Sequence, residues 1–449
     1  MRLFYLLFAF LVSTGLFSQT HIFTSNGGTT DWHTAANWSA NTVPNNASTV
    51  LIPDGFEVDI TASATANSIS LTGSGTLVLA SDLSVSEILN IGAIAVLNFE
   101  DGNLAANTIE NNGTIRFVNP EYKTISNTVI NNYSRMNFID SNTINLAGIV
   151  TINNQDTGVI DILANGSLSQ ENNGTATLIN NGVVQKYAQA GDFGSFYMIL
   201  NVVNNNSIDI AQDSQFLFLT PQVTFHNTST GTLSGTGTFD ITSPFLNEGA
   251  ISPGGDFEVG NLNFTNTFNL NGGVLKIDIN SPTEYDTIQV TGAADMDGSI
   301  SLNIDYYPED FTTFPILTSL FTIENCSFPS QITFNTGYQE FYVFDILCNE
   351  NSLELDLTEI YYIGVEEHKN LNFTISPNPI AQEATVTLNQ NQLKEPQLVL
   401  YNMLGSKVKN IPLEADHTIF NPDNLQSGMY FAQLISEGKT IRTEKIIIK

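Results

Sequence analysis

Catalysis, metal binding and cross-linking each need particular side chains at particular spacings, so the chemistry-bearing residues come first. The five histidines, His21, His33, His226, His368 and His417, show none of the short spacings that bring two imidazoles to one metal ion. They read as surface or loop residues, and zinc chemistry has no support. Asp295-Met296-Asp297-Gly298-Ser299 offers alternate carboxylates and a turn glycine, half of a calcium loop, but the downstream glutamate is missing. The expectation is no cofactor, with calcium at that segment as the exception left open against a plain turn between strands. No Gly-x-Ser-x-Gly elbow occurs, and Gly73-Ser74-Gly75 fits a turn. Gly438-Lys439-Thr440 ends like a phosphate loop, yet Gln433 stands where the first glycine is required.

A polysaccharide lyase or hydrolase would need clustered carboxylates, or a carboxylate-bound calcium beside a Lys or Arg base. One constellation is worth testing: Arg116 and Arg135, far enough apart to stack on one face, with Lys123, Glu121 and Asp140 nearby. No Asp-Asp pair, Gly-His-Gly or Arg-x-Lys signature of the pectin-acting hydrolases appears. A surface Arg pair more often serves solubility or pairs with neighbouring acids, so the expectation is that the protein is not an enzyme. Cys326 and Cys348, the only cysteines, are plausible disulfide partners in an oxidising compartment, and an unpaired state stays open beside that.

The elements that must hold these residues are strands. Charged residues are 13% against 42% hydrophobic, so Asn, Ser, Thr and Gln must cover most of the surface. The net charge of −31 leaves few cations to neutralise phosphates, which excludes nucleic acid and anionic lipid as partners. From about Val50 to Ile300 one phrase returns: a short apolar run, a doubled Asn, then another run. It occurs at Asn111-Asn112-Gly113, Asn131-Asn132, Asn153-Asn154, Asn172-Asn173-Gly174, Asn180-Asn181-Gly182 and Asn204-Asn205-Asn206, with the copy at Asn180 breaking an otherwise regular period. A fixed period of about 20 to 24 residues signals a solenoid. Asn and Gly enter left-handed corners cheaply, and Asn stacked at one corner of successive coils can form amide ladders. Runs such as Thr114-Ile115-Arg116-Phe117-Val118 alternate at period two, as a coil wall requires. The fold class expected is all-β: a parallel β-helix, right-handed by the usual preference, with a string of separate β-sandwiches as the structural rival.

Gly231 to Thr238, Leu246 to Gly255, Asn271 to Ile279 and Tyr285 to Gly292 together resemble the repeats of autotransporter-like bacterial passenger domains, a resemblance that implies an adhesive or structural β-helix. Trp32 and Trp38 fit a cap on the open N-terminal end better than a sugar-stacking platform. The aromatic-rich stretch 301–362 should close the other end or form a small β module.

After a polar linker the pattern changes. Ser376-Pro377-Asn378-Pro379, Tyr401-Asn402-Met403-Leu404-Gly405, Leu425-Gln426-Ser427-Gly428-Met429-Tyr430 and Lys445-Ile446-Ile447-Ile448-Lys449 mark strands separated by turns, hence a small Ig-like β-sandwich. In this order they resemble the type A sorting domain of the type IX secretion system of Bacteroidetes. The resemblance assigns the sorting motif to Pro377, Asn378, Pro379, Gly405, Leu425, Gly428, Tyr430, Lys445 and Lys449. Asn402 departs from it, standing where an acidic residue is common. The family implies passage through the outer membrane, partnership with the secretion machinery, and release or attachment to surface polysaccharide.

The organisation expected is a signal peptide at 1–18, with Arg2 ahead of the apolar Leu3 to Leu16, a cap at 19–50, β-helix repeats at 51–300, a capping module at 301–362, a linker at 363–370 and the sorting domain at 371–449. No other apolar run is long enough to span a membrane. The reading is an exported, adhesin-like or structural β-helix protein, secreted or on the outer cell surface, contacting glycans; the alternative is a secreted β-helix lyase or hydrolase.

Overall fold

The structure, a computed structural model, describes residues 19–188, 194–308, 311–337, 340–362, 373–388, 393–413, 415–436 and 438–449. The signal segment 1–18 and the linker expected at 363–370 lie outside the described residues. Two compact units form, one of residues up to 334 with 343–359, the other of 335–342 with 360–449.

The first unit is a β-solenoid of about eleven turns. Each turn lays down three short strands, as in Thr114–Phe117, Lys123–Ser126 and Val129–Asn132. The next turn repeats them as Arg135–Phe138, Asn142–Ala147 and Ile149–Asn154. Corresponding strands pair in parallel, Ile115 with Met136, Ile125 with Leu146 and Ile130 with Ile152, so three parallel sheets run the length of the unit. This continuous parallel register excludes the string of sandwiches, whose sheets are antiparallel. Period-two alternation sends one face inward: Leu77, Leu97, Ile115, Met136 and Ile160 form one stacked buried row. Burial of each such side chain stabilises the fold by about 1.5–3 kcal/mol, and no turn buries its row without its neighbours.

One corner carries a different kind of core. Asn111, Asn132, Asn154, Asn180, Asn204, Asn227 and Asn247 are fully buried. Each Nδ2 donates to the Oδ1 of the next, from Asn111 to Asn132 at 2.6 Å and then at 2.7 Å on every step to Asn247. Asn154 and Asn180 also donate to the carbonyls of Val183 and Ser207, so the ladder satisfies the backbone where strands break. The steps span 20 to 26 residues, the longest from Asn154 to Asn180. Asn180, which breaks the period in the sequence, is therefore a regular rung. The surplus copy is Asn172-Asn173, which lies exposed in a turn after the strand Gly166–Gln170. Glycine follows the ladder where the backbone leaves no room: a Cβ on Gly182 would lie 2.1 Å from the Gly158 carbonyl oxygen.

Two lysines interrupt the apolar interior. Lys123 is fully buried, and its ammonium donates to the carbonyls of Asn119 and Glu121 at 2.7 and 3.0 Å. Lys186 donates to the Tyr187 carbonyl at 2.8 Å, and burial brings its pKa down to about 8.

The N-terminal end is covered by the segment after Ile22. Trp32 and Trp38 are buried and packed edge to face at 5.0 Å, Trp38 Nε1 donating to the Trp32 carbonyl. Neither ring offers a face to a sugar. At the other end the parallel ladder does not stop at 300: Ser299–Ile304 pairs with Val274–Ile279, Leu317 with Ile288, and Ile323 with Ala294. Closure comes from Ser352–Asp356, which runs antiparallel to Thr313–Thr318 and ends parallel addition there. Cys326 and Cys348 form a disulfide.

The second unit carries a three-stranded antiparallel sheet, Phe373–Ser376, Ala384–Leu388 and His417–Phe420. A four-stranded one holds Lys407–Pro412, Gln397–Asn402, Gly428–Ser436 and Lys439–Ile448. Val386, Leu388 and Phe420 from the first share one core with Leu400, Leu434 and Ile446 from the second, a sandwich.

Candidate functional site

The sorting motifs occupy structural joints of this sandwich. Asn378 Nδ2 donates to the Lys445 carbonyl at 2.8 Å and its Oδ1 accepts from the Ile447 amide at 2.9 Å, so one side chain clamps the last strand. The backbone continues the clamp, with Ile380 N–H to the Ile447 carbonyl and Lys449 N–H to the Ile380 carbonyl. Pro377 and Pro379 flank the clamping residue. Gly405 sits in a left-handed turn at φ +77°, a conformation that glycine adopts at low cost. Asn402 Oδ1 accepts from the Leu404 and Ser406 amides at 3.0 and 2.9 Å. An Asp oxygen would accept the same two bonds, so the departure at Asn402 costs the turn nothing. Leu425 packs against the core, and Tyr430 is buried with its hydroxyl donating to the Gln426 carbonyl at 2.8 Å. Gly428 opens the strand that carries Tyr430. Lys445 and Lys449 are exposed, while Ile446 and Ile448 between them are buried.

On the solenoid, the constellation expected around the two arginines does not assemble. Arg116 lies opposite Asn137 and Arg135 opposite Thr114, so the guanidinium groups sit diagonally, not in a stack. Arg135 pairs instead with Asp161, a buried carboxylate that also accepts from the Tyr187 hydroxyl at 3.3 Å. Burial, then the Asp161 charge, raises the Tyr187 pKa. Lys123 is turned inward, and Asp140 accepts from the Asn119 amide. Ser74 donates to Asp54 across the turn at Gly73, and Gly438-Lys439 joins two strands of the sorting domain. Asp295 and Asp297 accept from Asn325 and Ser327. Among the described residues no three His, Cys, Asp or Glu side chains are placed to hold a metal ion.

Cavities on the described part of the solenoid include a larger and a smaller one. The larger, about 540 Å³, is lined by Gln212, Asp213, Thr238, Asn261, Asn263 and Gln289 among others. The smaller, about 250 Å³, lies where the segment after Pro253 overhangs the next two strands, beside Lys276, Asp278 and Asn303. Asp278 and Asp286 behind it are buried. Burial is the main reason that the Asp286 pKa rises to about 7; hydrogen bonds from Asp278 and Gly260 oppose the rise, and the Asp278 charge adds to it. Sequence reasoning missed this corner because it follows the strand Ala250–Pro253, whereas the Asn corner that marks the repeat stands before that strand, at Asn247.

Among the described residues no helix is long and apolar enough to cross a membrane. No curated protein matches the chain. Residues 374–449 match the family described as the secretion system C-terminal sorting domain, which covers Asn378, Asn402, Tyr430 and the clamped last strand. The chain therefore carries a sorting domain of the type IX secretion system behind a β-solenoid body, and is exported by that route to the cell surface or the medium.

Proposed function

We propose that the body acts outside the cell as an adhesive or structural β-helix that contacts glycans, after a signal peptide has carried the chain across the inner membrane. The observation behind this reading is the lining of the larger cavity. Its amides and hydroxyls hydrogen-bond sugars in either sense, while Asp213 is its one carboxylate and has no acidic partner in the lining. Acid and base catalysis at a glycosidic bond uses two carboxyl groups facing each other, so the groove suits holding a chain better than cutting it. A lyase or hydrolase is the second reading, and Lys276 beside Asp256 and Asp278 in the smaller cavity is what favours it.

The deciding experiment incubates the purified full-length protein with immobilised neutral polysaccharides, scoring retention on the matrix and release of reducing or unsaturated ends. Retention without product is expected. Product formation would move the body to the enzyme reading, and absence of retention on every matrix would sink the adhesive one.

A further inference from the structure

Between Pro253 and Asn261 the chain makes a loop pinched at its base. A Cβ on Gly254 would lie 2.0 Å from the Glu258 carbonyl oxygen, and one on Gly260 would lie 2.3 Å from the Gly254 nitrogen. The two ends of the loop therefore touch, and only glycine permits it. Buried Asp286 fixes this neck to the floor beside it, accepting from the Gly260 amide at 2.8 Å and from the Asp278 amide at 2.9 Å. Lys276 Nζ reaches Asp256 Oδ1 at 2.9 Å and ties down the outer limb.

At the tip stands Phe257, left-handed at φ +66° and 77% exposed. A large aromatic side chain is disfavoured in both respects: the backbone is strained for any residue with a Cβ, and the ring gains nothing from burial. Strain held in place by a pinched neck, a buried carboxyl and an ion pair is the pattern found where a loop presents a side chain to a ligand. Phe257 shares the lining with Ile277 and Leu302 and with polar Ser252, Ser301, Asn303 and Asp278, Asn303 Nδ2 donating to Asp278 Oδ1 at 2.7 Å.

We infer that this pocket is a binding site for one uncharged sugar ring, stacked on Phe257 and hydrogen-bonded by Asp278, Asn303 and Lys276. An aromatic face matches the C–H face of a pyranose, and the paired amide, carboxylate and hydroxyls match its ring of hydroxyl groups. The volume of about 250 Å³ falls below the roughly 300 Å³ at which drug-sized sites begin, which suits one ring and not a chain. Asp256 and Asp278 outnumber Lys276, so the pocket excludes uronic and other anionic sugars. The loop lines the larger groove as well, through Val259 and Gly260, so a glycan held there by its body can place an end in this pocket.

The inference deepens the glycan-binding reading and is tested apart from it. Saturation-transfer NMR on the full-length protein would use glucose, galactose, mannose, N-acetylglucosamine and glucuronate as separate probes. At least one uncharged sugar should saturate, and glucuronate should bind at least tenfold more weakly. Phe257→Ala, at an exposed position that does not threaten folding, should weaken the bound sugar at least tenfold, and Phe257→Tyr should retain it. No transfer to any uncharged sugar, or binding that Phe257→Ala leaves unchanged, would overturn the pocket. Polysaccharide retention by the same samples reports on the wider reading: matrix binding without monosaccharide binding removes the pocket and keeps the adhesive body, and the reverse removes the adhesive body and keeps the pocket.

Discussion

At the scale of single residues the solenoid depends on buried polar groups that hydrogen-bond one another from turn to turn. Asn154 sits within the amide ladder, donating to Asn180 and accepting from Asn132, with no exposure to water. Asn154→Ala removes both bonds and leaves a buried donor and a buried acceptor, each costing about 1–3 kcal/mol, so a loss of about 3–5 kcal/mol is expected. Asn172→Ala, in the exposed turn outside the ladder, should fall within about 0.5 kcal/mol of the parent. Urea unfolding of the full-length variants measures both, and equal midpoints would refute the ladder as a stabilising element. The doubled Asn was legible in the sequence, and so was its stacking at one corner. Which Asn of each pair points inward was not, because a side chain's direction depends on where the strand ends. Asn227 and Asn247 are ladder rungs that no doubled Asn announces.

Asp286 adds a pH dependence at the same scale. Its folded pKa lies near 7 against 3.8 for the free side chain, so between about pH 4 and pH 7 the folded protein holds a proton that the unfolded chain has released. Stability from this group is full below pH 4 and is lost as pH rises to 7, by at most about 4 kcal/mol. Asp286→Asn cannot ionise, though its amide must set one N–H group against a backbone donor, which costs it stability in acid. The deficit of the variant relative to the parent should therefore shrink as thermal melts move from pH 4 to pH 7. A deficit independent of pH would show that Asp286 is ionised throughout.

At the scale of elements, period-two alternation identified the walls, and the parallel pairing followed from the repeat length. The far boundary was less legible: aromatic Phe314 and Phe321 suggested either closure of the end or a small module, and Thr313–Ser319 adds to the parallel ladder before the antiparallel strand closes it. Aromatic content does not distinguish a last coil from a cap, because both bury their rings. The candidate pocket was illegible for a related reason, since Asp278 and Asp286 become neighbours only through the antiparallel return of Glu284–Tyr285 against Ile279–Ser281. In the sorting domain the sequence motifs were visible, and the structure supplies their physics. Asn378 contributes two hydrogen bonds to the last strand at an exposed position, about 1 kcal/mol or somewhat more in total. Asn378→Ala should thus raise amide hydrogen exchange at Ile447 in the full-length protein by about tenfold, since about 1.4 kcal/mol corresponds to one decade. Asn402→Asp should leave exchange at Leu404 and Ser406 unchanged, because either side chain offers the same oxygen. If both variants exchange alike, the clamp is not what holds the strand.

At the scale of the whole molecule, charge separates the two functional parts. Residues 374–449 hold seven basic and seven acidic residues, leaving seven basic and 38 acidic in 1–373, so the whole net charge of −31 belongs to the part that is carried. The cargo offers few cationic handles, and its neutral polar groups are spent on walls and ladder. The sorting domain has its own core and both of its sheets, so it presents a folded address whatever lies ahead of it. Deleting Leu371 to Lys449 should therefore abolish surface or medium localisation in a host with a working type IX system. The body should still fold, because every ladder rung and wall strand lies before Leu371. Fractionation should find the truncated body in the periplasm as a protease-resistant species, and the full-length protein should be retained in the same place when the secretion system is disabled. Surface delivery of the truncated body would mean that the solenoid carries an export signal of its own, whereas its disappearance through degradation would show that the solenoid depends on the C-terminal unit for stability.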